Sequence, residues 1–279
     1  MGPPYGVAMA DHHHRWRIAP GDRPQLDHLD TASKDGAPGD KAETREATAT
    51  LVQELAELQN RLWAEHRRSV LLVLQAMDAG GKDGTVRKVF TGVNPQGVRV
   101  SSFKGPSTEE LEHDFLWRIH QQVPGHGEIG VFNRSHYEDV LIVRVDELVP
   151  EDVWRPRYAT IRHFERSLVE AGTTVIKVFL HISKDEQKAR FQARLDEPEK
   201  RWKFSAADLT VRAKWDQYAE AYQEAIGETS TDDAPWYVVP ADRKWYRDWA
   251  VLEILLGHLR AIDPQYPTEE PGLAGLVIE

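Results

Sequence analysis

Val70-Leu-Leu-Val-Leu-Gln75 is a continuously apolar, β-rich run, and comparable runs stand at Val98 to Phe103, Ile129 to Phe132, Thr174 to Ile182 and Trp236 to Pro240. Short runs that are apolar at successive rather than alternate positions predict strands buried on both faces. Between them the period changes. Leu51, Leu55, Leu58 and Leu62 recur at helical spacing within Lys41 to Arg68, which predicts an amphipathic helix leading into the core. Ser107-Thr-Glu-Glu110 and Ser183-Lys-Asp-Glu186 read as capping boxes at helix starts, and Gly172 and Gly227 read as helix stops. Strand and helix alternate throughout. The expected fold class is therefore α/β, a five-stranded parallel sheet between two helical layers, with ligands held at the carboxyl ends of the strands.

The flanks differ from this core. Residues 1–40 carry five prolines, several glycines and no sustained period, so an extended or disordered N-terminal arm is expected ahead of a domain over 41–263. His12, His13 and His14 lie in that arm, where adjacent side chains on a flexible segment do not converge into a metal site. A proline-bearing tail over 264–279 is expected to lie on the surface.

The chain has 279 residues, 41% of them hydrophobic, with nine tryptophans, enough to bury a large core. It has no cysteine, which removes thiol nucleophiles, disulfides and cysteine-based zinc sites and fits a reducing, cytoplasmic setting. No apolar run is long enough to span a bilayer, so no membrane partner is expected. A formal charge of −10 argues against broad nucleic-acid binding. Any anionic ligand must meet a locally concentrated basic site.

One segment supplies such a site. Ala76-Met-Asp78-Ala-Gly80-Gly81-Lys82-Asp83-Gly84-Thr85 follows the first buried strand and precedes a helical stretch with Arg87 and Lys88, and reads as a relaxed P-loop. Glycines let backbone N–H groups turn inward, the helix start adds partial positive charge, and the lysine reaches distal phosphates. Ala76 stands where the usual motif has its first glycine, and Asp83 replaces the usual hydroxyl residue. Asp78 and Asp83 would repel phosphate unless a divalent cation bridged them, which points to Mg²⁺. The simpler reading is a tight Asp-Gly and Gly-Gly turn, and the strand context with Lys82 weighs against it.

A second polar cluster, Asn133-Arg-Ser-His-Tyr-Glu138-Asp139, follows the strand at Ile129 to Phe132. Arg134 can neutralise phosphate charge in a transition state, and Glu138 and Asp139 are the nearest carboxylates for metal or proton work. A third segment over 184–215 carries Lys184, Lys188, Arg190, Arg194, Lys200, Arg201 and Lys203 on a predicted helix pair. It suits a lid that closes over phosphates and expels water, although interleaved acids also fit an ordinary solvated helix face.

Gln75 to Asp83, Ser107 to Arg118 with its His113-Asp-Phe-Leu-Trp-Arg118, Phe132 to Val140, Arg201-Trp-Lys-Phe-Ser205 and Pro235 to Arg247 together resemble the polyphosphate kinase 2 family, over roughly Leu51 to Arg260. The resemblance implies a thymidylate-kinase-like P-loop NTPase fold, a three-layer α/β/α sandwich with a helical lid. It implies reversible phosphoryl transfer between inorganic polyphosphate and a nucleotide, dependent on Mg²⁺ or Mn²⁺, and a homo-oligomer, a dimer or tetramer. Asp78 and Lys82 would be the Walker A groups, with phosphate bound along Gly80, Gly81, Lys82, Asp83, Gly84, Thr85 and Arg87. Asn133 and Arg134 would be the Walker B groups, and Arg190, Arg194, Lys200 and Lys203 the lid cations. Many members carry Asp at the Walker B position. The Asn133 form is similar to the class III branch, associated with phosphorylating both AMP and ADP, and it leaves Glu138 beside Asp78 as a metal ligand or proton acceptor.

Two rivals stand beside this expectation. An ATP-dependent nucleoside or nucleotide kinase on the same fold differs in its donor, and a non-catalytic polyphosphate or nucleotide binder would bind without turnover.

Overall fold

In the computed structural model of the chain, residues 15–271, 273 and 278 are described. Strands form at all five expected places, although the Val98 run lies at the sheet edge and is mostly exposed rather than buried on both faces. They are β2 (Ser69–Ala76), β3 (Val98–Ser102), β4 (Ile129–Asn133), β5 (Thr173–His181) and β6 (Trp236–Pro240). All eight residues of β2 are buried, as a central strand flanked on both faces requires. It pairs in parallel with β4, Val70 opposite Ile129, and with β5, Val70 opposite Thr174. The expected count of five is one short. Arg17–Ile18, β1, adds an antiparallel sixth strand to the outer edge of β6, giving the order β1-β6-β5-β2-β4-β3.

Helices cover the sheet. In chain order they are α1 (Lys41–Glu65), α2 (Lys82–Val89), the single turns α3 (Thr108–Leu111) and α4 (Trp117–His120), α5 (Ile142–Val145), α6 (Glu151–Trp154), α7 (Arg157–Glu170), α8 (Lys184–Asp196), α9 (Ala206–Ala213), α10 (Trp215–Thr229) and α11 (Lys244–Ile262). α11 packs against α1, α2, β5 and β6, while α7 packs against β5 and α10. Trp249 to Leu252 and Ile254 to Leu256 are all buried, so α11 is apolar around its circumference because the sheet lies on one side and α1 on the other. α1 begins at a full capping box in which Asp40 accepts from Glu43 N–H and Glu43 answers to Asp40 N–H.

Two further expectations need adjustment. The arm is not a loose extension from Arg15 onward, because Trp16 is buried edge-on against Tyr246 and Trp249, at ring separations of 6.2 and 5.6 Å, and Leu26 is buried as well. His12 to His14 lie outside the described residues. Gly227 does not stop a helix, since α10 runs through it to Thr229. A Cβ at Gly227 would lie 3.3 Å from Arg23 Cα and from the Asp22 carbonyl, so this glycine lets the arm cross the helix closely. Past Asp263 the described tail has no regular structure, and no helix among the described residues is long and apolar enough to cross a membrane.

Candidate active site

Strand β2 ends at Ala76 and α2 starts at Lys82, so the glycine-rich segment is a strand-to-helix loop at the carboxyl edge of the sheet. Gly80 N–H donates to the Met77 carbonyl at 2.9 Å, closing a tight turn. Ala79 (φ +61°) and Gly81 (φ +104°) are left-handed, and a Cβ at Gly81 would collide with the Arg247 guanidinium. Lys82 folds back to donate from Nζ to the Ala76 carbonyl at 3.1 Å. Burial and the like charge of Arg134 push its pKa down, against the pull of Asp78, Glu138 and Asp83.

Asn133 and Arg134 meet this loop from the neighbouring strand. Asn133, the last residue of β4, donates from Nδ2 to Asp83 Oδ1 at 2.6 Å. Arg134, held left-handed at φ +62°, donates from Nη2 to Asp78 Oδ1 at 2.9 Å, with Nη1 3.7 Å from Glu138 Oε2. Asn133 and Arg134 thus bind the loop's two acids. Beneath them, buried Ser135 accepts from Gln75 Nε2 and from Tyr137 N–H, which fixes the start of the turn.

Both motifs open into a cleft of about 860 Å³, lined by nine cationic and four anionic side chains although the chain as a whole carries −10. The cations follow the sheet order. Lys244 and Arg247 come after β6, Arg190 and Arg194 after β5, Lys82 after β2, Arg134 after β4 and Lys104 after β3. At about 4.8 Å between strands, these five strand ends span about 19 Å. Crowding disfavours the charged forms. Burial, then Arg190 and Arg247, push the Lys244 ammonium down, and burial with the Arg190 charge pushes Arg247 down despite Asp248. A polyanion in the cleft would offset the like-charge repulsion among these groups.

The sequence-derived candidates do not all reach the cleft. Asp78, Gly80, Gly81, Lys82, Asp83, Gly84, Asn133, Arg134, Arg190, Arg194, Lys200 and Lys203 line it. Thr85 does not. It is buried, and its hydroxyl donates back to the Gly81 carbonyl at 3.2 Å. Arg87 is exposed and not part of the lining, because helical phase carries it past the cleft. Glu138 does not line the cleft, and its Oε2 stands 3.7 Å from Arg134 Nη1. Of the cations in the segment over 184–215, Arg194 donates to the Lys203 carbonyl at 2.9 Å, Lys200 pairs with Glu197 at 2.5 Å, and the Lys203 ammonium stands 5.0 Å from the exposed Trp202 ring. Lys104, Lys244 and Arg247 are site residues that motif reading missed. Lys104 follows close on β3, and Lys244 and Arg247 lie in the first turns of α11 after β6, so placement past carboxyl strand ends is the signal that could have found them.

A mostly parallel sheet, a phosphate-cradling loop after its central strand and a row of cations along the same edge define a P-loop phosphoryl-transfer protein. The polyphosphate kinase 2 family model matches residues 39–267. An AMP/ADP-polyphosphate phosphotransferase of Meiothermus ruber is 56% identical over 95% of this chain and 99% of its own length. An ADP-polyphosphate phosphotransferase of Rhodopseudomonas palustris is 49% identical over 83% of this chain and 84% of its own. Among solved structures, polyphosphate kinase 2 from Arthrobacter aurescens TC1 superposes with a TM-score of 0.91 at 46% identity, covering 94% of each chain. The chain belongs to the polyphosphate kinase 2 family.

Proposed function

We propose that this enzyme transfers the terminal phosphoryl group between inorganic polyphosphate and AMP or ADP, forming ADP and ATP. The observation that carries this reading is the row of cations across five strand ends, centred on Lys82 and Arg134. A linear polyanion meeting a nucleotide phosphate end to end needs positive charge over such a length. In this reading the polyphosphate end lies against the loop and Lys82, and Arg134 with Arg194, Lys200 and Lys203 balances charge on the phosphoryl group in flight. The acceptor oxygen of AMP or ADP is already ionised near neutral pH. A strong general base is therefore unnecessary, and an amide at Asn133 is tolerable.

Among the described residues no three acidic or histidine side chains gather into a metal cage. Mg²⁺ is commonly held by one or two carboxylates together with substrate phosphates, and the donor set fits that pattern. Asp78 and Asp83 flank the loop, each giving one oxygen to Arg134 or Asn133 and keeping another. These two would hold Mg²⁺ or Mn²⁺, which would supply charge neutralisation between phosphates. Glu138 is engaged with Arg134 and is the weaker choice. Closure of the segment over 184–215, a cytoplasmic setting and assembly as a homo-oligomer belong to the same proposal.

The acceptor assay tests it. Purified protein with Mg²⁺, polyphosphate and either AMP or ADP should yield ADP and then ATP from AMP, and ATP from ADP. ATP from ADP alone would remove the dual-acceptor reading taken from Asn133. Turnover only when ATP is the donor would make this an ATP-dependent nucleotide kinase instead.

A further inference from the structure

Three consecutive carbonyls of the phosphate loop, those of Asp78, Ala79 and Gly80, accept hydrogen bonds from two side chains of α8. Gln187 donates from Nε2 to the Asp78 carbonyl at 2.8 Å. Arg190 donates from Nη1 to the Ala79 and Gly80 carbonyls at 2.9 and 3.0 Å. Its remaining donors are also engaged, Nη2 with the Ala241 and Asp242 carbonyls at 2.6 and 3.2 Å and Nε with Glu186 at 2.7 Å. A guanidinium has five N–H donors, and here five acceptors meet them. Arg190, expected from sequence to bind phosphate directly, has no donor left for it in this arrangement.

In a trans peptide the C=O of one residue and the N–H of the next point in opposite directions. Carbonyls 78 and 80 drawn toward α8 therefore aim the N–H groups of Ala79 and Gly81 away from it. Neither N–H meets an acceptor among the described residues, whereas Gly80 N–H is used inside the turn by Met77. Left to itself, Ala79 would not favour φ +61°, so the loop conformation needs an outside hold. Gln187 is itself oriented, because Arg212 of α9 donates to its Oε1 at 3.0 Å and to the Lys184 carbonyl at 2.6 Å. This fixes which end of the amide faces the loop.

We propose that Gln187 and Arg190 are positioning residues that hold three loop carbonyls outward, so that the Ala79 and Gly81 N–H groups are presented to the donor phosphate before it arrives. The proposal rests on the phosphotransferase reading above. Gln187 is 1% exposed and does not line the cleft, so it cannot touch substrate, and this makes it the sharper test.

The experiment compares wild type, Gln187→Met and Arg190→Lys. It measures KM for polyphosphate and for nucleotide separately, amide hydrogen exchange across the loop without substrate, and thermal unfolding. Loss of one neutral hydrogen bond corresponds to about a 3- to 10-fold effect. Gln187→Met should raise KM for polyphosphate by about that factor and speed loop exchange comparably, with KM for nucleotide within about twofold. Arg190→Lys, which cannot span four carbonyls, should do more of the same. Unchanged KM values with fewer active molecules would mean a merely structural role and would overturn the proposal. So would a silent Gln187→Met beside an Arg190→Lys that raises KM without altering loop exchange, since that pattern marks a direct phosphate ligand. If Arg190→Lys does not fold, Gln187→Met decides alone. If wild type shows no polyphosphate-dependent turnover, the functional reading fails, and loop exchange in Gln187→Met still judges the positioning.

Discussion

Lys177 stands in the middle of β5 with no solvent exposure, and its ammonium is fully committed. It donates to Glu165 Oε2 at 2.5 Å, to the Thr229 carbonyl at 2.7 Å and to Tyr137 Oη at 3.1 Å. Glu165, 1% exposed on α7, accepts in turn from Tyr137 Oη at 2.8 Å and meets His136 Nε2 at 3.2 Å. This network anchors the turn after Arg134. Lys177→Met keeps volume but leaves a buried carboxylate without its counter-ion, which costs about 3–5 kcal/mol. At about 2–4 °C per kcal/mol for a domain of this size, the melting temperature should fall by about 10 °C. Lys177→Met combined with Glu165→Leu removes both charges and should recover most of that loss, because an intact buried pair is worth little over apolar packing. The pH dependence gives an independent sign. Burial pushes the Glu165 carboxyl up, but Lys177 and His136 outweigh it and hold the carboxyl below its ordinary 4.5. Wild type therefore keeps this contribution above that value and loses it as pH falls through the lower, folded-state pKa. In Lys177→Met burial wins, the carboxyl is raised, and stability should decline as pH climbs from about 5 to 8. Thermal unfolding across pH checks both statements. A single variant that loses under about 1 kcal/mol, or a double variant no better than the single, would refute the reasoning.

Other consequences concern the cleft. Lys82→Ala should lower kcat by about 10²–10³-fold without lowering the melting temperature, since it removes charge from a crowded cationic site; activity within tenfold of wild type would dismiss its role. Because burial and Arg134 depress the Lys82 pKa below its ordinary 10.5, KM for polyphosphate should rise on the alkaline side before that pH, and Lys82→Arg should flatten the rise. Asn133→Asp places a second carboxylate 2.6 Å from the Asp83 oxygen, adding an anionic oxygen beside the proposed cation, so the Mg²⁺ concentration for half-maximal activity should fall; an unchanged metal titration would count against Asp83 as a ligand. A chelator should abolish turnover while leaving thermal unfolding unchanged, with recovery on adding Mg²⁺ or Mn²⁺, and persistent turnover would remove the metal from the proposal.

Much of this architecture was readable from local pattern. Strands β2, β4, β5 and β6 are almost wholly buried, as their continuous apolar runs predict, and the loop beginning at Asp78 and the pair Asn133 and Arg134 stand at the carboxyl ends of β2 and β4. What escaped depends on tertiary neighbours. β1 has two residues, Arg17 and Ile18, too few for any period to register. Lys244 and Arg247 belong to the cleft only because β6 pairs with β5, which is not a local property. Charge suggested that Arg190 binds phosphate, but five backbone and side-chain acceptors had already taken its guanidinium, and helical phase turned Thr85 and Arg87 away. Gly227 looked like a stop, and the reason for a glycine there is the arm crossing α10.

In this cleft one phosphoryl group should leave polyphosphate for each one gained by nucleotide. Phosphorus NMR of wild type with Mg²⁺, polyphosphate and AMP follows chain-end and nucleotide phosphates in one sample and tests it most directly. Phosphoryl groups lost from polyphosphate should equal those appearing as the β-phosphate of ADP plus the β- and γ-phosphates of ATP, and Lys82→Ala should suppress both. Nucleotide phosphorylation without matching polyphosphate loss, or polyphosphate released as free phosphate with AMP unchanged, would contradict it.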